Sequence, residues 1–150
     1  MAQNLGELLN AVIQQESPKL RSISESDAAA RAGAGDGWSR KQELGHLLDS
    51  ATNNRVRFVT AALNRTYAGP TYNGDGWVAL GGYAEASWAD LVELWTRLNE
   101  GLVRVVENIP GEALTAQCKV GDGEPVSLQF LIEDYVRHMQ HHLRHILAHG

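Results

Sequence analysis

Histidines are concentrated near the end of this chain, and their spacing is that of metal ligands. Five of the six histidines lie in the last segment: His138, His141, His142, His145 and His149. If that segment is helical, His138 and His142 lie four residues apart on one side, where two imidazoles can bind the same metal ion. His145 and His149 repeat this spacing, but near a chain end, where burial is poor. His141 is predicted to face solvent.

The sixth histidine, His46, would have to supply a third ligand from another part of the chain. It lies nearly opposite the apolar arc of its own segment, in a polar stripe with Asp49, Asn53 and Arg57. Such a stripe is typical of a solvated helix face, and the pattern alone favours that interpretation. The alternative is that the stripe lines a polar cavity inside a bundle while the leucine face packs elsewhere.

The first half of the chain predicts two amphipathic helices. Apolar residues at three- and four-residue steps indicate a helix over 5–21, capped by Asn4, with a kink or short break at Pro18. A glycine-rich loop is predicted over 32–37. Ser39 and Gln42 fit a capping box, so a long second helix is expected from Arg40 to about Asn64.

The second half predicts two more helices and two irregular connections. The segment 68–86 is rich in Gly, Pro, Tyr and Asn and is predicted to be a long functional loop. Its Tyr72, Trp77 and Tyr83 are candidates to cover a pocket, although aromatic loop residues more often attach a long loop to the bundle. A third helix should begin after Ser87 and run to Ile109-Pro110. A short hairpin is expected over 114–123, and a fourth helix after Ser127. We therefore predict an all-α four-helix bundle, in one domain spanning residues 1–150.

Composition excludes several classes of function. Thirteen basic and 18 acidic residues give a net charge of −5, which argues against binding nucleic acid through its phosphates. No apolar stretch reaches the ~20 residues that span a membrane, and no signal peptide is evident. Cys118 is the only cysteine, so it cannot form an intramolecular disulfide, and it is expected to be a small buried residue. A cytoplasmic location is predicted.

Two motifs together resemble a known family. The stretch Gly37-Trp38-Ser39, followed by a helix with His46, and the His-x3-His pair of His138 and His142 resemble the DinB/YfiT-like family of metalloenzymes. The resemblance covers nearly the whole chain. It implies an up-down-down-up four-helix bundle, often dimeric, in which three histidines hold a divalent metal. The implied ligands are His46, His138 and His142, and the chain departs from the family in having His145 where Gln is usual.

A three-histidine site would leave coordination positions open, which is typical of catalytic metal sites. Zn²⁺ or Ni²⁺ would suit these ligands, and availability favours zinc. The resemblance implies either a transferase that uses a low-molecular-weight thiol or a hydrolase, acting on a small-molecule substrate, and it implies a homodimer. A protease is not expected, because Met139 replaces the glutamate of His-Glu-x-x-His. The alternative hypothesis is a non-catalytic bundle with a binding or structural role.

Metal-bound histidines need partners that orient their rings. We consider Asp134, one turn before His138, and Asp49, three residues after His46, as candidates, with Asn53 as a third. Each of the two carboxylates also fits an ordinary surface or helix-pairing role.

Overall fold

Four long helices pack side by side in the computed structural model, which describes residues 2–30 and 37–148. In chain order the helices are α1 (Gln3–Arg21), α2 (Glu25–Ala29), α3 (Arg40–Asn64), α4 (Gly74–Gly81), α5 (Trp88–Glu107) and α6 (Leu128–Ala148). Three short strands accompany them: β1 (Thr66–Gly69), β2 (Gln117–Val120) and β3 (Val126–Ser127). The predicted loop at 32–37 (apart from Gly37) and His149 lie outside the described residues.

The spatial order of the four long helices differs from their order in the chain. Helix α1 packs against α5 and α6, and α3 also packs against α5 and α6, so that α1 and α3 lie diagonally across the bundle. In a simple up-and-down bundle, consecutive long helices would be neighbours. The predicted four-helix bundle is confirmed, and this arrangement brings the middle of α3 directly against α6.

The start of helix α3 is set by its sequence. The Ser39 side chain accepts a hydrogen bond from the backbone N–H of Gln42, and the Gln42 side chain accepts one from the Ser39 backbone, which completes the predicted capping box. The helix ends at Asn64, as predicted, and Arg65 follows in the left-handed conformation. The register of α3, and with it the direction of its polar stripe, is therefore fixed from its first turn.

Two details of the first helix were predicted wrongly. Asn4 is not the N-cap: α1 begins at Gln3, after Ala2, and has no side-chain cap. Pro18 does not break the helix, which continues to Arg21. Ser17 and Leu20 are buried on either side of the proline, so packing of the last turn outweighs the hydrogen bond that proline cannot donate.

The segment 68–86 is not the loop that its composition predicts. It contains α4, whose N-cap Asn73 accepts a hydrogen bond from the backbone of Gly76, and a 3₁₀ turn at Tyr83–Glu85. Strand β1 overlaps the start of this segment and pairs in parallel with β2, and β2 pairs antiparallel with β3. A hairpin is present, but β2 and β3 form it over 117–127 instead of the predicted 114–123. Strand β1 was not predicted, because its partner β2 is about 50 residues away in the chain.

The remaining elements agree with the sequence. Ser87 caps α5 through the N–H of Asp90, although the helix ends at Glu107, slightly before the predicted Ile109. Ser127 accepts a hydrogen bond from the N–H of Phe130 at the start of α6. Cys118 is buried, and burial raises the pKa of its thiol. None of the helices in the described part of the chain combines the length and apolar character needed to cross a bilayer.

Candidate metal centre

Three histidines from two helices converge at the contact between α3 and α6. Ring nitrogens of His46, His138 and His142 all lie within 4.8 Å of one another. The Nε2 atoms of His46 and His138 are 3.4 Å apart, and the centroids of the His138 and His142 rings are 4.6 Å apart. All three side chains are half-buried. The structure therefore brings together the three histidines that the sequence singled out.

The environment of His46 is built by residues on either side of it in the fold. The Trp38 ring lies 5.1 Å from the His46 ring, between centroids, and covers one side of it. Gly74, the first residue of α4, lies on another side, where an added Cβ would be 3.5 Å from His46 Cε1. The segment that was predicted to be a loop thus encloses His46, and the polar stripe of α3 is not a solvated face.

Glu43 was missed in the sequence, and it is the carboxylate that contacts these histidines. Its Oε2 atom lies 2.8 Å from Nδ1 of His142 and 3.3 Å from Nδ1 of His145, and its side chain is 6% exposed. Because a carboxylate only accepts hydrogen bonds, His142 must donate through Nδ1, which leaves Nε2 for a metal ion. Glu43 precedes His46 by three residues, so helical spacing placed both on one face and could have identified it.

The electrostatic environment of His138 favours its neutral ring. Burial, and after it the nearby His142 and His46, lower the pKa of His138 to about 4. At neutral pH the His138 ring is therefore uncharged and keeps a nitrogen lone pair. A neutral imidazole is the form that binds metal ions.

The three polar residues considered as ring partners contact other groups. Asp49 accepts a hydrogen bond from the hydroxyl of Tyr83, and Asn53 donates to the backbone carbonyl of Asp49 at 2.9 Å. Asp134 is exposed and forms an ion pair with Arg137 at 3.5 Å. Glu43, which was not among these candidates, contacts the His142 ring, and the proposed roles of Asp49, Asn53 and Asp134 stay predictions.

Tyr83 joins α4 and its 3₁₀ turn to α3. Added Cβ atoms at Gly45 and Gly81 would lie 2.0 Å and 2.5 Å from its ring, so glycine at both positions makes room for the tyrosine. Burial raises the pKa of Asp49, although the Tyr83 hydrogen bond opposes this, and burial and Asp49 raise the pKa of Tyr83. This pair therefore holds α4 against α3 beside the histidines.

A cavity of about 180 Å³ adjoins the cluster and shares His138 with it. Residues of α3, α6 and the segment before α4 line the cavity: Ser50, Asn54, Arg57, Tyr72, Leu131, Asp134 and Tyr135. Tyr72 thus lines this cavity, as the sequence suggested, whereas Trp77 packs against Tyr72 at 5.7 Å between centroids and is 41% exposed. Asn54 lines this space, whereas Asn53 is not among its lining residues.

Comparisons with known proteins agree with this geometry. The sequence profile of the DinB superfamily matches residues 9–146. A protein of Bacillus licheniformis, named "Putative metal-dependent hydrolase", is 29% identical over 120 residues, which are 75% of this chain and 65% of that protein. The chain therefore spans slightly less than two thirds of that relative's length.

A solved structure has the same fold. YfiT from Bacillus subtilis, described as "a probable metal-dependent hydrolase with an unusual four-helix bundle topology", aligns with a TM-score of 0.84 and 22% identity. The alignment covers 97% of this chain and 83% of that one. The likeness extends over all four long helices.

Proposed function

Because the chain belongs to the DinB superfamily, we propose that it is a metal-dependent hydrolase whose divalent ion is held by His46, His138 and His142. The observation that carries this proposal is the convergence of three histidine nitrogens, with Glu43 holding one of the rings. The names of the relatives support the same class of reaction.

The donor set fits such an ion. Two nitrogen ligands at a tetrahedral zinc ion, each 2.0–2.1 Å from the metal, lie about 3.4 Å apart. The Nε2 atoms of His46 and His138 are already separated by this distance. Three nitrogen donors suit Zn²⁺ and Ni²⁺, and cellular availability makes zinc our first choice.

The chain's own residues would orient the ligands and limit access of water. A bound divalent ion supplies Lewis-acid chemistry, which activates water and polarises a carbonyl or phosphoryl group. Glu43 would hold His142 through Nδ1, which leaves Nε2 of His142 as the nitrogen for the ion. Trp38 covers one side of His46, which restricts solvent there. The cavity lined by Arg57 and Tyr72 adjoins the histidines at His138, and a small-molecule substrate would enter the site from this cavity.

A transferase that uses a low-molecular-weight thiol is the second candidate. It would use the same three histidines, because an open coordination position accepts a thiolate as well as water. The two reactions differ in their co-substrate: a hydrolase consumes water and leaves an added thiol unchanged, whereas a transferase consumes the thiol.

Three further expectations accompany the proposal. We propose a single domain over residues 1–150, a cytoplasmic location and a homodimer. The homodimer rests on the family resemblance and on apolar side chains of α3 that lie at the surface, Val56 and Leu63, which are 60% and 77% exposed.

The experiment that tests the metal site is elemental analysis of untagged protein and of single-histidine variants. We expect about one zinc or nickel ion per chain, because the cluster of His46, His138 and His142 and a second group of possible ligands, Glu43, His142 and His145, share His142. That ion should be lost in His46→Ala and His138→Ala. His141→Ala is the matched control, because His141 lies on the same helix but is exposed. Retention of metal in His46→Ala would overturn the three-histidine site.

Activity separates the hydrolase from the alternatives. Metal-loaded protein should hydrolyse members of a panel of small esters and amides, and His138→Ala should not. Consumption of an added thiol would favour the transferase. Protein that binds metal but catalyses neither reaction, or that binds no metal after incubation with excess zinc, would support the non-catalytic binding or structural role.

A further inference from the structure

Arg57 is a buried cation with few partners. Its side chain is 9% exposed, its Nη2 donates to the carbonyl of Pro70 at 3.2 Å, and its guanidinium lies 5.7 Å from the centre of the Tyr72 ring. A guanidinium carries five N–H donors, and this is the one hydrogen bond that Arg57 forms within residues 2–30 and 37–148. In the same part of the chain, no carboxylate lies within ion-pair distance of it. No nitrogen of Arg57 is both fully buried and without a partner, so its remaining N–H groups are open to the cavity that it lines, where a ligand can accept hydrogen bonds from them.

The cavity that Arg57 lines provides both polar and apolar contacts. Ser50 and Tyr72 offer hydroxyl groups, and the Asn54 amide is held by the Ser50 carbonyl at 2.8 Å. Leu131 contributes apolar surface. The Tyr135 hydroxyl donates to Asn99 at 2.5 Å, so this residue offers its ring to the cavity. The combination suits a short molecule with one charged end and an apolar body.

The cavity is continuous with the histidine cluster. His138 belongs to both, and on α3 the residues His46, Ser50, Asn54 and Arg57 occupy successive turns of one face. A molecule held at Arg57 therefore extends along α3 towards the three histidines. Arg57 is placed to fix which bond of that molecule reaches them.

We propose that Arg57 binds the carboxylate of the substrate, so that the enzyme acts on small monocarboxylates whose reacting bond lies a short chain away from the charged end. The statement about the reacting bond rests on the proposed hydrolase function, whereas binding of the carboxylate by Arg57 does not. One guanidinium matches one carboxylate in charge and in its two parallel hydrogen bonds. A phosphate dianion fits less well, because Asp134 adds negative charge at the edge of a cavity of only about 180 Å³.

The first test compares two probes of nearly equal size on the full wild-type chain. Butyrate and butyramide differ in charge at one end, and each is titrated into zinc-loaded and metal-free protein while amide chemical shifts are followed by NMR. We expect butyrate to bind at least about tenfold more tightly than butyramide in both forms, because charge-assisted hydrogen bonds are about twice as strong as neutral ones. The metal-free form excludes binding of the carboxylate to the ion.

The second test uses two arginines of the same helix. Arg57→Gln should weaken butyrate binding by about tenfold or more and leave butyramide binding unchanged. Arg55→Gln removes the same charge two residues away, at an exposed position, and should bind butyrate like the wild type. Circular dichroism confirms that each variant folds. If Arg57→Gln does not fold, Arg57→Lys and the wild-type comparison of the two probes decide the question.

The outcomes separate this proposal from the proposed function. Equal binding of butyrate and butyramide, or equal loss of butyrate binding in both arginine variants, would overturn the carboxylate site even if zinc binds to the histidines. Tighter binding of inorganic phosphate than of butyrate would overturn the choice of carboxylate. Selective, Arg57-dependent butyrate binding by a protein that takes up neither zinc nor nickel would refute the metal-dependent hydrolase and retain the carboxylate site.

Discussion

The contact between α1 and α5 and the contact between α3 and α6 are built from different kinds of residue. Helix α1 meets α5 through buried apolar side chains such as Leu9, Ile13 and Trp95. Helix α3, which packs against α6, buries apolar residues such as Leu44 and Leu48 as well, but it also buries polar and charged residues: Glu43, Asp49, Ser50, Asn54 and Arg57. Helices α1 and α5 also bury polar groups, among them Ser17, Asn99 and the Nε1 atom of Trp95, but within residues 2–30 and 37–148 the buried charged side chains all lie on α3.

This difference separates the part of the bundle that stabilises the fold from the part that carries the chemistry. Burial of apolar surface stabilises the folded state roughly in proportion to the buried area, and this is sufficient to explain why α1 packs against α5. Burial of Glu43 and Arg57 is unfavourable unless each meets a partner or a ligand. The α3–α6 contact is therefore expected to respond to metal and to small anions, whereas the α1–α5 contact responds to neither.

Zinc should produce the largest change, and it should act at one contact alone. At a free zinc concentration 1,000 times the dissociation constant, the free energy of unfolding should rise by about 4 kcal/mol. His138→Leu should abolish this increase without destabilising the metal-free protein, because it replaces a half-buried polar ring by an apolar group. Chemical denaturation with and without zinc measures both effects, and His141→Leu is the exposed control. If zinc does not change the free energy of unfolding of the wild type, the expected difference between the α3–α6 and α1–α5 contacts is wrong.

Truncation of the apolar contact should have the opposite pattern. Ile13 is fully buried in α1, so Ile13→Ala should lower the free energy of unfolding by about 2–5 kcal/mol, the usual range for such cavities. The same zinc per chain should bind to the folded variant. Leu8→Ala removes a comparable side chain from the exposed side of α1 and should cost about 1 kcal/mol or less. Loss of zinc in folded Ile13→Ala protein would show that the two contacts are not independent.

Glu43 tests the α3–α6 contact more finely. Glu43→Gln keeps the shape of the side chain but removes the charge that faces Nδ1 of His142, and partners of this kind typically change metal affinity by about 10–100-fold. We expect the zinc dissociation constant to rise by that factor, with one ion still bound at saturation, as measured by competition with a chelator. Glu7→Gln makes the same charge change at an exposed position of α1. Equal affinities in the two variants would remove Glu43 from the site.

Local sequence patterns were sufficient where the structure depends on neighbours in the chain. The capping box at Ser39 and Gln42 fixed the start of α3, and the spacing of His138 and His142 placed both rings on one side of α6. These features depend on hydrogen bonds and geometry within one helical turn. They required no knowledge of which helices are neighbours.

Features that depend on distant contacts could not be predicted in this way. Helix periodicity finds one apolar arc, but α3 is covered by α4 on a second side, so its polar stripe is enclosed as well. The sequence of α4 includes three glycines in eight residues, a composition that disfavours a helix in isolation. Its packing through Tyr83 against Gly45 outweighs that preference, and the same packing encloses His46.

The smallest effect that we predict concerns an ion pair of α3 outside the site. Glu25 of α2 pairs with Lys41 of α3, whose side chain is 7% exposed, and accepts a hydrogen bond from the Trp88 backbone at 2.8 Å. The hydrogen bond from Lys41, followed by that from Trp88, lowers the pKa of Glu25 below its usual value of 4.5. Because the folded state favours the charged form of Glu25, this carboxylate stabilises the fold at pH values above its ordinary pKa of 4.5. The stabilisation is lost as the pH falls through the lowered pKa of the folded state.

Glu25→Gln should therefore destabilise the protein at pH 7, and the difference from the wild type should shrink as the pH falls below about 4. Urea denaturation at a series of pH values measures this difference, with Glu7→Gln as the control for an unpaired carboxylate. Zinc binding should not change, because Lys41 lies one turn before the histidine cluster and pairs with α2 instead of α6. A difference that persists unchanged at low pH would mean that Glu25 acts through packing and that its charge is irrelevant. Altered zinc affinity would mean that the ion pair sets the position of α3, and the chemical and structural parts of this helix would then be inseparable.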